Sequence, residues 1–184
     1  MKDKDYLEMK GIHKSFAGVS VIKNVDFSAR RGEVHGLLGG NGAGKSTFMN
    51  ILGGIYFKDK GKIFIDGKEV EITNSMQAIE QGISFIHQEL KLFSLRPVAE
   101  NITISNLPIR RPFGFVDDRK KNEIAKKWLD MVGLDVNPNK RLGELSIAEQ
   151  QMVEIAKALS IEPKIMIFDE PTSSLTHNEV RKLF

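Results

Sequence analysis

An α/β fold follows from three features of this 184-residue sequence: a glycine-rich loop set between an apolar stretch and a helical one, an apolar strand ending in two carboxylates, and paired alternating stretches at the N-terminal end. Together they predict a mixed core sheet, an antiparallel β subdomain and a helical subdomain inserted at about residues 90–142. At 41% hydrophobic content the chain can bury a sizeable core, as one domain with a subdomain inserted.

The alternation of apolar and polar residues over 6–14 and 19–30 predicts two antiparallel strands turned at Ala17-Gly18, with Arg31-Gly32 closing the second. Phe16 falls at that turn, where an aromatic is ordinarily a packing residue. The run Val34 to Leu38 reads as a buried strand and Thr47 to Leu52 as a helix. Strands at 61–65 and 68–72 flank Asp66-Gly67, a type I′ hairpin signal, and belong with the first two. Asn74-Ser75 caps a short helix through Gln81, Gly82 ends it, and Ile83 to Ile86 form a strand that delivers Gln88 near its tip. Between 90 and 142 no strands are expected. A helix starts after Pro97, Arg110 to Gly114 form a loop, and Asp117-Asp118 open an amphipathic helix with Ile124, Trp128, Leu129, Met131 and Val132 on its buried face. Ser146 to Glu149 fit a capping box whose helix runs through Leu159, and Lys164 to Glu170 form an apolar strand ending in Asp169 and Glu170.

Gly39, Gly40, Asn41, Gly42, Ala43, Gly44, Lys45, Ser46 and Thr47 spell G-x-x-x-x-G-K-[ST] without mismatch, the phosphate-binding P-loop pattern. Glycines let several backbone N–H groups converge on a phosphate at a helix N-terminus. Lys45 then reaches the β- and γ-phosphates, and Ser46 offers a hydroxyl to Mg²⁺. A turn of this spelling that binds nothing requires chance assembly, on the order of one per cent for a chain this long. Beside such a loop, Asp169 has a natural place on Mg²⁺, and Glu170 can orient an attacking water.

Composition narrows the field further. The absence of cysteine excludes disulfides, thiol catalysis and cysteine-ligated metals. No run approaches the roughly 18 apolar residues of a membrane helix, and Met1 to Asp5 lack the apolar region of a signal peptide, so a cytoplasmic location is expected. The net charge of +3 is mild. Basic clusters at Arg110-Arg111, Arg119 to Lys121 and Lys126-Lys127 are interrupted by acids and lack interleaved aromatics, which favours a solvated helix face over nucleic-acid binding.

Taken in order, Phe16, the P-loop, Gln88, Leu145 to Gln150 and Ile165 to Glu170 resemble the nucleotide-binding domain of ABC transporters, over nearly the whole chain. Residues 145–159, Val98 to Ile102 and Pro171 to Thr176 are similar to the first ATPase half of bacterial monosaccharide importers of the ribose, galactose and xylose type, and purine-nucleoside importers share much of this wording. The resemblance implies that Phe16 stacks on adenine, Gly39 to Thr47 hold the phosphates of ATP, Gln88 senses the γ-phosphate and Mg²⁺, Asp169 supports Mg²⁺ and Glu170 is the general base. Ser146, Ile147, Ala148, Glu149 and Gln150 match the signature that faces the ATP of an opposing unit. Ser173 to Thr176 match a segment crossing to that unit.

Ile147 and Ala148 replace the two glycines of the usual L-S-G-G-Q, and Gly40 stands where a larger residue is common. The family's switch histidine lies roughly 30 residues beyond the second carboxylate, so His177 is too close to be it and a C-terminally truncated domain is expected. The resemblance further implies a second ATPase half fused in the full-length protein, membrane permease subunits, an indirect link to a periplasmic sugar-binding protein, no nucleic-acid partner, and a peripheral position on the cytoplasmic side of the membrane. Two rivals are a soluble non-transport ABC ATPase and a nucleotide-responsive binding module with little turnover.

Overall fold

The computed structural model describes residues 5–87, 90–110, 112 and 114–169. The chain divides into two compact units, Met1–Ile83 and Ser84–Phe184.

In the first unit the alternating stretches form β1 (Leu7–Phe16) and β2 (Val19–Ala29). Two further strands are β3 (Lys60–Ile65) and β4 (Lys68–Val70), and the sheet order is β2-β1-β3-β4, every pair antiparallel. The type I′ expectation at Asp66-Gly67 agrees with φ of 52° and 74°, and the turn expected at Ala17-Gly18 has both central φ positive too, 47° and 82°. Leu7, Met9 and Ile12 of β1 are buried with Ile63 and Ile65 of β3, which puts one face of the sheet in the core. Gly61 permits the closest approach in this sheet. Its φ is +101°, and a Cβ there would lie 2.5 Å from the Gly11 carbonyl oxygen. After the P-loop comes α1 (Lys45–Leu52), which buries Phe48, Ile51 and Leu52. Asn74 caps α2 (Ser75–Glu80) as expected, its side chain accepting from the Gln77 N–H at 3.0 Å.

The stretch Val34 to Leu38 does not form the buried strand expected of it. It lies in none of the sheets of the described residues, and Val34 and Leu38 are 89% and 93% exposed. An apolar strand buried on both faces needs hydrogen-bonded neighbours, and none of the described strands pairs with residues 34–38.

The second unit is built on three helices. α3 (Val98–Thr103), α4 (Asp118–Met131) and α5 (Ile147–Ser160) share a core of Val98, Ala99, Ile102, Ala125, Trp128, Leu129, Met152, Ile155 and Ala156. The short strand β5 (Ile83–Ile86) pairs with β8 (Ile165–Phe168), between which β6 (Ile109–Arg110) and β7 (Phe115–Val116) intervene in sequence. That last pair corrects the expectation of no strands between 90 and 142, and it takes Arg110 out of the loop expected at Arg110 to Gly114. The glycine at 114, with φ +72°, closes a turn tight enough for Ile109 to pair with Val116.

Two further expectations for α4 need correcting. Met131 is 57% exposed, because the core stripe continues from Leu129 to Val132 instead. Lys121, read as part of a solvated basic face, is buried with its amine 2.6 Å from Asp118 and 3.8 Å from Glu100. Its methylenes cover apolar surface while two carboxylates hold the charge.

Candidate functional site

The P-loop closes on its own lysine. Gly42 and Gly44 take left-handed backbone, φ +77° and +86°, which L side chains adopt only under strain. Gly44 is the N-cap of α1 and offers no side chain to the helix. The first intrahelical bond runs from the Phe48 N–H to the Gly44 carbonyl at 2.8 Å, so the N–H groups of Lys45, Ser46 and Thr47 have no acceptor within the helix. A Cβ at Gly44 would lie 3.2 Å from the Val21 carbonyl oxygen, so the loop rests directly on β2. Lys45 Nζ donates to the carbonyls of Gly39 and Gly40 at 2.7 and 2.9 Å, which places a cation inside the turn and leaves one of its three N–H groups free for another acceptor. The Gly39 position is filled by Lys45 in turn: a Cβ there would stand 3.7 Å from the lysine's Cδ. Ser46 is exposed on the first turn of α1.

Phe16, the last residue of β1, is 38% exposed. Its ring meets Tyr56 edge-on at 5.0 Å between centroids, and Lys14 Nζ lies 5.3 Å from its centre. The ring is thus held by Tyr56 and by the Lys14 ammonium over its face, with part of its surface open. Tyr56 had no sequence signal as its companion.

In the second unit Asp169 follows β8, its N–H donating to the Ile86 carbonyl at 3.1 Å. Gln88 and Glu170 lie outside the described residues. His87 stacks on Phe85 at 4.3 Å, and burial, aided by Lys91, pushes its imidazole below the usual histidine range. The N-terminus of α5 is a complete capping box. Ser146 Oγ accepts from the Glu149 N–H at 3.3 Å, and a Glu149 carboxylate oxygen accepts from the Ser146 N–H and Oγ at 2.8 and 2.9 Å. Those bonds, the backbone one foremost, hold the Glu149 carboxyl below the usual carboxylate range. Ile147 is 60% exposed, Ala148 is partly exposed, and Gln150 folds back to donate to the Leu145 carbonyl at 2.9 Å.

Residues 22–173, which hold this loop and the strand that leads to Asp169, match the family described as ABC transporter. The chain belongs to the ABC transporter family. Among curated relatives of this ABC chain is the galactose/methyl galactoside import ATP-binding protein MglA of Salmonella typhimurium, 47% identical over 178 residues that make up 97% of this chain and 35% of that one. The ribose import ATP-binding protein RbsA of Clostridium perfringens is 46% identical over 178 residues, 97% of this chain and 36% of its own. The chain therefore spans about a third of the length of the curated relatives it matches. A solved nucleotide-free ATP-binding cassette from an ABC transporter superposes with a TM-score of 0.84 at 25% identity, covering 98% of this chain and 74% of that one. The fold is that of the ABC cassettes, an α/β chain with an antiparallel sheet and helices.

Two buried polar residues of this ABC chain had no motif to mark them. Asn101 on α3 is 1% exposed, and its amide bonds to the backbone of Phe93 and Pro97. Glu154 on α5 is 4% exposed, its carboxyl pushed up by burial and drawn back by Lys157. A polar letter inside an amphipathic stretch does not say what it will meet.

Proposed function

We propose that the chain is the N-terminal ATP-binding and ATP-hydrolysing part of the ATPase that powers sugar import across the cytoplasmic membrane. The observation that carries this is the P-loop: a left-handed Gly44 at an uncapped helix start, with the Lys45 ammonium drawn into the turn. The relatives' names point to galactosides and ribose as the substrate class of the whole transporter.

In this reading the N–H groups of 45–47 and the Lys45 amine bind the β- and γ-phosphates of ATP, and Phe16 offers its open face to adenine. Among the described residues no three acidic or imidazole side chains gather into a metal site. The residues the resemblance assigns to Mg²⁺, namely Ser46, Asp169 and Gln88, carry oxygen donors of the kind Mg²⁺ takes, one or two from the protein with phosphate and water completing its shell. When bound, Mg²⁺ neutralises phosphate charge. Glu170 orients and deprotonates the attacking water. Ser146 to Gln150 face the nucleotide of an opposing ATPase half, fused in the longer protein, and residues 90–142 with Gln88 form the docking face for the permease, which a periplasmic sugar-binding protein serves in turn. The protein then sits peripherally on the cytoplasmic side of the membrane. No described helix is long and apolar enough to cross a membrane.

One observation favours a second reading, a nucleotide-responsive module with little turnover: the carboxylate of Glu149 already occupies the N-terminus of α5. The two are separated by assaying the 184-residue chain and a longer two-cassette version together. Calorimetry should show Mg·ATP binding to the chain alone, while its phosphate release stays near background because hydrolysis in this reading needs an opposing ATPase half. The longer version should hydrolyse ATP and lose that activity in Glu170→Gln while retaining nucleotide. Absence of ATP binding by the chain overturns the proposal. Absence of turnover in the longer version favours the second reading.

A further inference from the structure

The segment just after Gln88 is tied by backbone hydrogen bonds to both elements that bracket residues 145–150. On one side Lys157 of α5 donates to the Lys91 carbonyl at 2.9 Å, while the buried Glu154 carboxylate lies 3.4 Å from the same amine. On the other side the Gly143 N–H donates to the Ser94 carbonyl at 2.8 Å, and the Leu142 N–H to the Arg96 carbonyl at 3.0 Å, both from the 3₁₀ turn Leu142–Glu144. The packing there is tight, since a Cβ at Gly143 would stand 3.2 Å from the Ser94 carbonyl oxygen. From beneath, Asn101 closes a pair of bonds on Phe93: its Oδ1 accepts from the Phe93 N–H at 2.7 Å and its Nδ2 donates to the Phe93 carbonyl at 3.1 Å. Nδ2 also lies 3.0 Å from the Pro97 carbonyl, which links the start of α3 to the same residue.

The consequence is mechanical. Five backbone groups within six residues are held by partners from α3, α5 and the turn between α4 and α5. Breaking a bond to a buried amide such as Asn101 leaves donor and acceptor unsatisfied, so the segment has no low-cost alternative position.

We propose that Asn101 and Lys157 are positioning residues that lock residues 91–96 to the signature, so that this segment and Ser146 to Gln150 respond to ATP as one body; this rests on the nucleotide reading above. Lys157 supplies a charged donor to a backbone carbonyl, with Glu154 keeping the ammonium in place. Asn101, 1% exposed, offers donor and acceptor together to the backbone of Phe93.

The absence of cysteine lets nitroxides be placed at will. Spin labels at Leu95→Cys and Ile147→Cys, both exposed positions, report the distance from the segment to the start of α5. The 184-residue chain should give one narrow distance, unchanged by Mg·ATP. Lys157→Gln and Asn101→Ala should each lose it in favour of a broad distribution, and Lys157→Arg should restore it. Calorimetry with Mg·ATP on the same samples reads the P-loop, which lies in the other compact unit and should keep its affinity. A narrow distance that survives in the Lys157→Gln, Asn101→Ala double variant overturns the lock, whatever the calorimetry gives. A narrow parent distance lost in the variants, with no ATP bound by any sample, keeps the lock and overturns the nucleotide reading.

Discussion

Two helices in this chain begin in opposite ways. α1 starts at a left-handed glycine with no side-chain cap, and its first N–H groups are left to a partner from outside. α5 starts at Ser146 with both halves of a capping box formed, and a carboxylate of the chain itself occupies its start. Both ends carry the same partial positive charge from the peptide dipoles. What differs is whether the sequence has already supplied the anion. G-K-S-T leaves the position open and adds a lysine, whereas S-I-A-E fills it. Of the two starts, the one at Gly44 leaves its first N–H groups open to an anion from outside, and the one at Ser146 does not until Glu149 moves away.

The largest effect that would break this comparison is at Lys45. Lys45→Ala should remove a charge-assisted contact worth roughly 1.5–3 kcal/mol, which is about tenfold to hundredfold in Mg·ATP affinity by calorimetry. Equal affinity in both forms would mean that the uncapped start of α1 binds no phosphate. Phe16→Ala sharpens the same point by separating base from phosphate. Stacking is worth about 1–3 kcal/mol per base in nucleic-acid systems, so ATP should weaken while inorganic triphosphate does not. Parallel loss for both ligands would assign Phe16 to packing against Tyr56, 5.0 Å away.

Both helix starts were legible in the sequence because each is local: four to nine consecutive residues determine the backbone and the hydrogen bonds. The turns at Ala17-Gly18 and Asp66-Gly67 and the Asn74 cap were legible for the same reason. Val34 to Leu38 misled because an apolar stretch carries no record of whether neighbouring strands will be there to pair with it. The β6–β7 hairpin was missed since two residues per strand make no alternating pattern. Asn101 and Lys157 meet partners 8 and 66 residues away, and nothing in their own surroundings announces either contact.

A smaller effect tests the closed end. Ser146→Ala removes the acceptor of the Glu149 N–H and the hydroxyl that holds the Glu149 carboxylate. A lost cap of this kind costs about 1 kcal/mol. The single tryptophan, Trp128, lies in the core that α5 shares, so its fluorescence during urea unfolding reports this unit without requiring the whole chain to unfold in one step. An unchanged midpoint would show that the capping box contributes nothing to holding α5.

The smallest expected effect is the most specific to the carboxylate. Glu149 is held below its ordinary range by the Ser146 N–H and then by the Ser146 hydroxyl. A depressed carboxyl stabilises the fold above its unfolded value, here 4.5, and that stabilisation is lost as pH falls through the lower folded value. Glu149→Gln keeps the shape of the box, since glutamine also serves at that position, but carries no charge to titrate. The Trp128-reported midpoint should therefore fall less between pH 7 and pH 4 in the variant than in the parent. The difference should be smaller than that of Ser146→Ala, because solvent screens a group this exposed. With the charge gone, the start of α5 should also accept inorganic phosphate more readily than the parent does, moving it toward the behaviour of α1. An identical pH response in the two proteins would mean that the closure of this end owes nothing to the negative charge, and that shape alone distinguishes it from the loop at Gly44.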